Sequence, residues 1–255
     1  MATEKRKQEK TPENERFEEA KRRVLGDSAH EGGIGTLAER ALHKILKLYF
    51  DPDESHHEIK ISGSVADIKN DSGIIEIQTR ALARLRPKLD KFLREYPVTV
   101  VFPLDYKKYI RYLDHETGQI SERKLSPKHA TVYDAAFEIY NLKDYIGKEG
   151  FSVKLVFVNV DEYRIRNERA LGRMRRKVRI ERIPSSIESI LTLSSPEDYK
   201  AFIPPSLANE FCAADYGKAV GKRYKWEYSA VRILLAAGLI ESVGRVGRKN
   251  MFKII

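Results

Sequence analysis

The sequence predicts an α/β protein, a mixed sheet flanked by helices, with a small C-terminal module after it. Three observations predict this. Runs rich in β-branched residues, Glu58–Ser62, Ser64–Arg80, Pro97–Leu104 and Phe151–Val160, have the length and composition of strands. They alternate with stretches whose apolar residues recur at helical spacing, as in Leu37, Ala41, Ile45 and Leu48. Pro184, Pro196, Pro204 and Pro205 then punctuate the approach to a last segment, Ser195–Ile255, with its own pattern.

Each element follows from its residues. Met1 to about Asn14 is polar and expected to be disordered, and Phe17–Leu25 suits a short helix. Gly32, Gly33 and Gly35 end it, and Thr36 with Glu39 forms a capping box for a helix over Leu37–Phe50. Glu58–Ser62 reads as the first strand. Ser64–Arg80 reads as two strands around a turn made by Asn70, Asp71, Ser72 and Gly73. Ala81–Tyr96 is helical in composition, with Pro87 starting a second helix or kinking one. The apolar Pro97–Leu104 is a strand buried in the sheet. Tyr109–Leu113 and Gln119–Leu125 read as a hairpin, Thr131–Ile146 as an amphipathic helix, and Phe151–Val160 as another strand.

The chemistry concentrates in Ser64–Arg80. Side chains alternate along a strand, so Glu76 and Gln78 share one face while Ile75, Ile77 and Thr79 share the other. Glu76 interrupts an apolar run, where a carboxylate is costly to bury unless paired or metal-bound. With Asp67 on the neighbouring strand, it could hold a hard divalent cation. His43 lies four residues after Glu39 on the same helical face and could stand near such a site. The histidines have no zinc-ligand spacing, and the single cysteine, Cys212, supplies no thiolate cluster.

These residues resemble the core motif of the PD-(D/E)XK nuclease superfamily, the restriction-endonuclease-like fold, over roughly Gly33 to Leu104. The resemblance implies that Glu39, Asp67, Glu76 and Gln78 are the catalytic set. It further implies that Asp67, Glu76 and the Ile77 carbonyl bind Mg²⁺ or Mn²⁺. Two positions depart from the pattern: Ala66 replaces the motif proline, and Gln78 replaces the usual lysine. An amide donates and accepts hydrogen bonds but carries no charge, so Lys60, Lys69 or Arg80 is expected to supply the positive charge.

Composition points to a polyanionic partner. The 255 residues carry a net charge of +10 and a pI near 9.5. Arg164–Arg182 holds nine Lys or Arg against two Glu and reads as a phosphate-binding loop, with Arg173, Arg175, Arg176 and Lys177 at its centre. One cysteine fits a reducing cytosol, the N-terminus lacks a signal-peptide pattern, and no apolar stretch is long enough to span a membrane. A cytoplasmic protein is therefore expected.

Ala213–Val220 and Lys225–Ala237 read as helices joined by a turn at Gly221–Tyr224. Leu239–Val243 and Asn250–Ile254 read as strands around the basic tip Gly244–Lys249. This resembles a winged helix-turn-helix domain. The resemblance implies DNA contacts by Lys222, Arg223, Tyr224, Lys225, Trp226 and Tyr228 at the helix start, and by Arg245, Arg248 and Lys249 in the wing.

The expected organisation is a charged, partly disordered segment over 1–30, a nuclease-like domain over 31–163, a basic loop and connector over 164–194, and a winged helix over 195–255. The expected function is a metal-dependent protein that binds DNA and hydrolyses its phosphodiester bonds, with a homodimer possible as in many restriction-type nucleases. The alternative is a DNA-binding regulator on a nuclease fold that no longer cuts, which the loss of lysine at Gln78 favours.

Overall fold

The structure, a computed structural model, describes residues 12–26, 38–114, 117–165, 178–222 and 225–255. The side chains of 12, 38–40, 165, 178–181 and 225 fall outside the description. Helix α1 (Pro12–Gly26) and helix α2 (Ala38–Phe50) lead into strands β1 (His57–Ile61), β2 (Ser64–Asn70) and β3 (Gly73–Ile77). A 3-10 turn over Leu82–Leu85 and helix α3 (Arg86–Phe92) follow, with Pro87 in the first turn of α3, where its missing N–H costs nothing. Strands β4 (Val98–Leu113) and β5 (Lys124–His129), helix α4 (Ala136–Ile139) and strands β6 (Phe151–Ile165) and β7 (Val178–Leu193) complete the larger unit.

These strands form one mixed sheet in the order β1-β2-β3-β4-β6-β7, with β5 also paired to β4. β3, β4 and β6 run parallel, and every other pairing is antiparallel. One face packs Ile74, Val98 and Val100 against Leu89 and Phe92 of α3 and against the C-terminal unit. The other packs Ile68, Ile77 and Val101 under Leu42 and Leu46 of α2. α1 lies over α2 and buries Phe17 and Ala20.

β6 occupies one edge of β4 along its length, so β3 and β5 share the other edge. β3 pairs with Val98–Val101, and β5 pairs with Lys107, Tyr109 and Ile110. The interval over 102–106 spans about 17 Å at strand rise. Pro103 sits there, where a strand N–H directed at that edge would find no ladder partner.

Four readings change. The connector over 164–194 is, from Val178 onward, a strand of the large sheet. Pro184 obscured it, yet that residue sits at a register shift, where a ladder N–H is dispensable. The hairpin's first arm is the continuation of β4, and its second is Lys124–His129 with a bridge at Leu113–Ile120. Thr131–Ile146 breaks into 3-10, α and 3-10 turns. The helix expected over Phe17–Leu25 is α1, which starts earlier, at Pro12 within the stretch expected to be disordered, and buries Phe17. Thr36 of the capping box lies outside the described residues.

The C-terminal unit holds β8 (Glu210–Cys212), α5 (Ala213–Ala219), α6 (Lys225–Ala236), β9 (Ile240–Val246) and β10 (Lys249–Ile254), in a sheet ordered β8-β10-β9. β8 went unread because three residues carry no periodicity. Phe211, Tyr216, Val231, Ile233 and Leu234 belong to the same buried cluster as the larger sheet, so the two units share a core.

Gly73 starts β3 with φ +123°, and a Cβ there would lie 2.4 Å from the Pro97 carbonyl oxygen. That oxygen accepts the Ile74 N–H at 2.8 Å. Gly73→Ala is expected to destabilise the fold by about 2 kcal/mol or more, read as a lower urea midpoint at unchanged slope.

Candidate functional site

The site forms where β2 and β3 part. Their ladder runs from Asn70–Gly73 to Ile68–Ile75 and goes no further. Within β2, Ala66 packs on the α3 side of the sheet and Ile68 on the α2 side, although residues two apart on a regular strand share a face. The strand therefore turns over at Asp67. The irregularity matches Glu58 across the β1–β2 pair, whose φ is +55° and whose carboxylate takes the ammonium of buried Lys47. Such local breaks re-aim a side chain.

The re-aimed Asp67 carboxylate accepts the Ile77 N–H at 2.8 Å and lies 3.3 Å from His43 Nε2 on α2. Glu76 is only 1% exposed. Its Oε1 is 3.4 Å from the Asp67 amide nitrogen, and its Oε2 accepts from Lys88 Nζ of α3 at 2.8 Å. The two carboxylates thus meet between helices on opposite faces of the sheet, one supplying His43 and the other Lys88.

Electrostatics separates the pair. Burial, with the Asp67 charge beside it, pushes Glu76 up to about 7 despite the Lys88 ion pair. Burial also opposes ionisation of Asp67. There the His43 contact, the Ile77 N–H and the Lys88 charge outweigh burial and hold the carboxyl below its ordinary value. Two acids in one pocket with opposed shifts titrate as a coupled unit.

The structure brings Asp67, Glu76 and Ile77 together. In a strand, one residue's N–H and C=O leave by the same edge, so the Ile77 carbonyl is directed to the Asp67 side. Gln78 continues the pairing to β4 through its N–H to the Val101 carbonyl at 3.0 Å, but its side-chain amide donates to the Arg80 carbonyl at 2.6 Å. Glu39 lies on α2 one turn before His43, and its side chain is outside the described residues. The ammonium on Glu76 is that of Lys88, a residue the sequence analysis did not single out. Lys60 is exposed on β1, and Lys69 Nζ lies over the Tyr96 ring at 4.8 Å. Lys88 is ten residues beyond Gln78, on a helix that returns over the strand, and no local spacing rule reaches it.

The expected nucleic-acid contacts divide. Arg173, Arg175, Arg176, Lys177 and Arg223 lie outside the described residues, as does the Lys225 side chain. Lys222 Nζ pairs with Asp134 Oδ1 at 2.6 Å, and the Trp226 ring stands 6.2 Å from that of Phe137. Both bind the C-terminal unit to the larger one. Arg245, Arg248 and Lys249 are exposed on the β9–β10 hairpin. Opposite them, Arg232, which the sequence reading passed over, lies on α6 beside Tyr228.

A family model, Domain of unknown function (DUF8091), matches residues 40–194. The chain belongs to this family. The matched span contains Asp67, Glu76, Lys88 and all the strands of the large sheet. An uncharacterized protein of Treponema pallidum (strain Nichols) is 29% identical over 224 residues, covering 86% of this chain and 87% of that protein. No solved structure matches. No helix among the described residues is long and apolar enough to cross a membrane.

The Glu76 shift has a stability consequence. A carboxyl raised on folding favours the native state fully below its unfolded value, and that contribution is lost as pH rises through about 7. Asp67, shifted the other way, contributes above its unfolded value and is already ionised at pH 5. Without divalent cations, Glu76→Gln is expected to gain on the order of 2 kcal/mol over wild type between about pH 5 and pH 8. Urea midpoints at the two pH values measure the difference.

Proposed function

We propose that this protein is a metal-dependent nuclease with a restriction-endonuclease-like core and a C-terminal winged helix, acting on DNA. The supporting observation is the convergence of Asp67 and Glu76 at the end of β3 with the Lys88 ammonium on Glu76. The donor set fits a hard divalent cation. It offers two carboxylates and a carbonyl edge, and burial together with the Asp67 charge raises Glu76 even with Lys88 in place.

Asp67, Glu76 and the Ile77 carbonyl would hold Mg²⁺ or Mn²⁺. Such an ion lowers the pKa of a bound water and neutralises charge on a phosphodiester. The protein's own groups do the rest. The Ile77 N–H and His43 orient Asp67. Lys88 sets a positive charge on Glu76 in a site that has no lysine at position 78. Gln78, at the near side of the Pro103 interval, donates its amide to the Arg80 carbonyl, and Lys88 is the charged group nearest Glu76 to act on the attacking water or the phosphate. The basic residues of the hairpin, with Arg173, Arg175, Arg176 and Lys177, would supply affinity by neutralising phosphates, so binding weakens steeply with salt.

One observation favours the reading in which the fold binds DNA without cutting it: Lys88 already satisfies one oxygen of Glu76. Two experiments separate the readings. Labelled DNAs incubated with Mg²⁺, Mn²⁺ or EDTA are expected to be cut only with metal. Glu76→Ala should abolish cutting, and Lys88→Ala should reduce it about 10²-fold. Calorimetric titration with Mn²⁺ is expected to show affinity rising from about pH 6 to pH 8 as Glu76 gives up its proton, and no binding to Glu76→Ala. Cutting that survives Glu76→Ala would remove the site assignment. Salt-sensitive DNA binding with neither metal uptake nor cutting would establish the regulator.

A further inference from the structure

The described side chains that flank the start of α6 are turned to the larger unit rather than to solvent. In the helix-in-groove mode, the first residues of the second helix face the bases. Here Trp226 stands against Phe137, Lys222 is paired with Asp134, and α6 lies along α4. What α6 leaves exposed is its flank. Tyr228 is 53% exposed, and one turn on, the Arg232 guanidinium lies 5.3 Å from its ring centroid and donates to its hydroxyl at 3.0 Å. The ring and the guanidinium hold each other in place on a rigid helix.

This flank is one wall of a groove of about 530 Å³, and the β9–β10 hairpin is the other. The floor is apolar, made by Val231, Leu235 and Phe252. Arg232, Arg245, Arg248 and Lys249 line it, and no described Asp or Glu does. Arg245 is held by Asn250 at 2.8 Å, while Arg248 and Lys249 are exposed at the tip. A cleft of this size takes a small planar group rather than a double helix. An aromatic face beside cations over an apolar floor is what an unstacked base and its phosphate require.

We infer that this groove binds single-stranded nucleic acid, with a base stacked on Tyr228 and the adjoining phosphates on Arg232, Arg248 and Lys249. The inference rests on the nucleic-acid reading above and narrows it: the C-terminal unit takes a single strand, and it does not insert α6 into a major groove. Charge complementarity chooses the occupant, because the charged residues that line the groove are all basic, and beside an aromatic platform they favour a polyanion with π-faces.

The test is fluorescence anisotropy in EDTA with the full chain, using labelled oligothymidylate and a blunt duplex of equal length. Tyr228→Ala is expected to weaken single-strand binding about tenfold, the scale of one lost base stack, and to change duplex binding less than about twofold. Tyr228→Phe keeps the stack and should bind as wild type. Arg248→Ala should weaken single-strand binding and flatten its salt dependence. Tyr228 is exposed, so circular-dichroism melting of each variant should match wild type. Single-strand binding unchanged in Tyr228→Ala, or an equal loss on both DNAs, would overturn the inference. EDTA keeps this result apart from catalysis: failure to cut with metal while Tyr228-dependent binding persists removes the nuclease reading and leaves this one standing.

Discussion

Where β2 and β3 separate, the Ile77 amide loses the partner that a continued ladder would give it, and the Asp67 carboxylate takes that place at 2.8 Å. A buried N–H left unpaired costs on the order of 1–3 kcal/mol, so the bond does structural work before any chemistry is considered. It lies where β2 turns over at Asp67, opposite the left-handed Glu58 whose carboxylate meets the buried Lys47. The geometry of the acid pair is therefore a property of three strands and one helix face together.

The second constraint is electrostatic. Burying Glu76 beside an ionised Asp67 opposes folding at neutral pH, and Lys88 offsets only part of that. Natural sequences carry such local conflicts mainly where a site needs them. A purely structural role for Glu76 would be served better by an apolar residue, since its strand neighbours Ile74, Ile75 and Ile77 already pack into both faces. The conflict is concentrated within one residue of the bond that holds the strands apart. The α2 and α3 helices converge on the same point from opposite faces, each bringing a nitrogen to one of the two carboxylates.

Much of this was legible in order along the chain. Alternation and the Asn-Asp-Ser-Gly turn located the hairpin and put Asp67 and Glu76 on adjacent strands, helical spacing located α2, and composition with Pro87 located α3. What alternation could not reveal was the turn-over in β2, because it depends on a backbone angle in β1, nor Lys88, because its approach depends on how a helix packs back over the sheet. β7 was missed for a different reason. Its proline sits at a bulge in the ladder, a tolerance that becomes visible only once the partner strand is known. The C-terminal helices and hairpin were readable from periodicity and glycine, but which face of α6 stays open is decided by Asp134 and Phe137, far away in sequence.

That last point governs how the two units can cooperate. A tethered binding module would be free to present any face, and its helix start would be the natural choice. Here Phe211, Tyr216 and the buried side of α6 complete a core begun by Val98, Val100 and Leu155, so the C-terminal unit is part of the structure that supports β4. β4 is also the strand on which β3, and with it Glu76, is aligned. A change in packing at α6 must therefore be felt by the strand that positions the acid pair, and the exposed groove is held in fixed relation to that strand. Mutations in the α4–α6 contact, such as Phe137 or Trp226, would act on both places at once, whereas Tyr228 and Arg248, on the open side, touch only the groove.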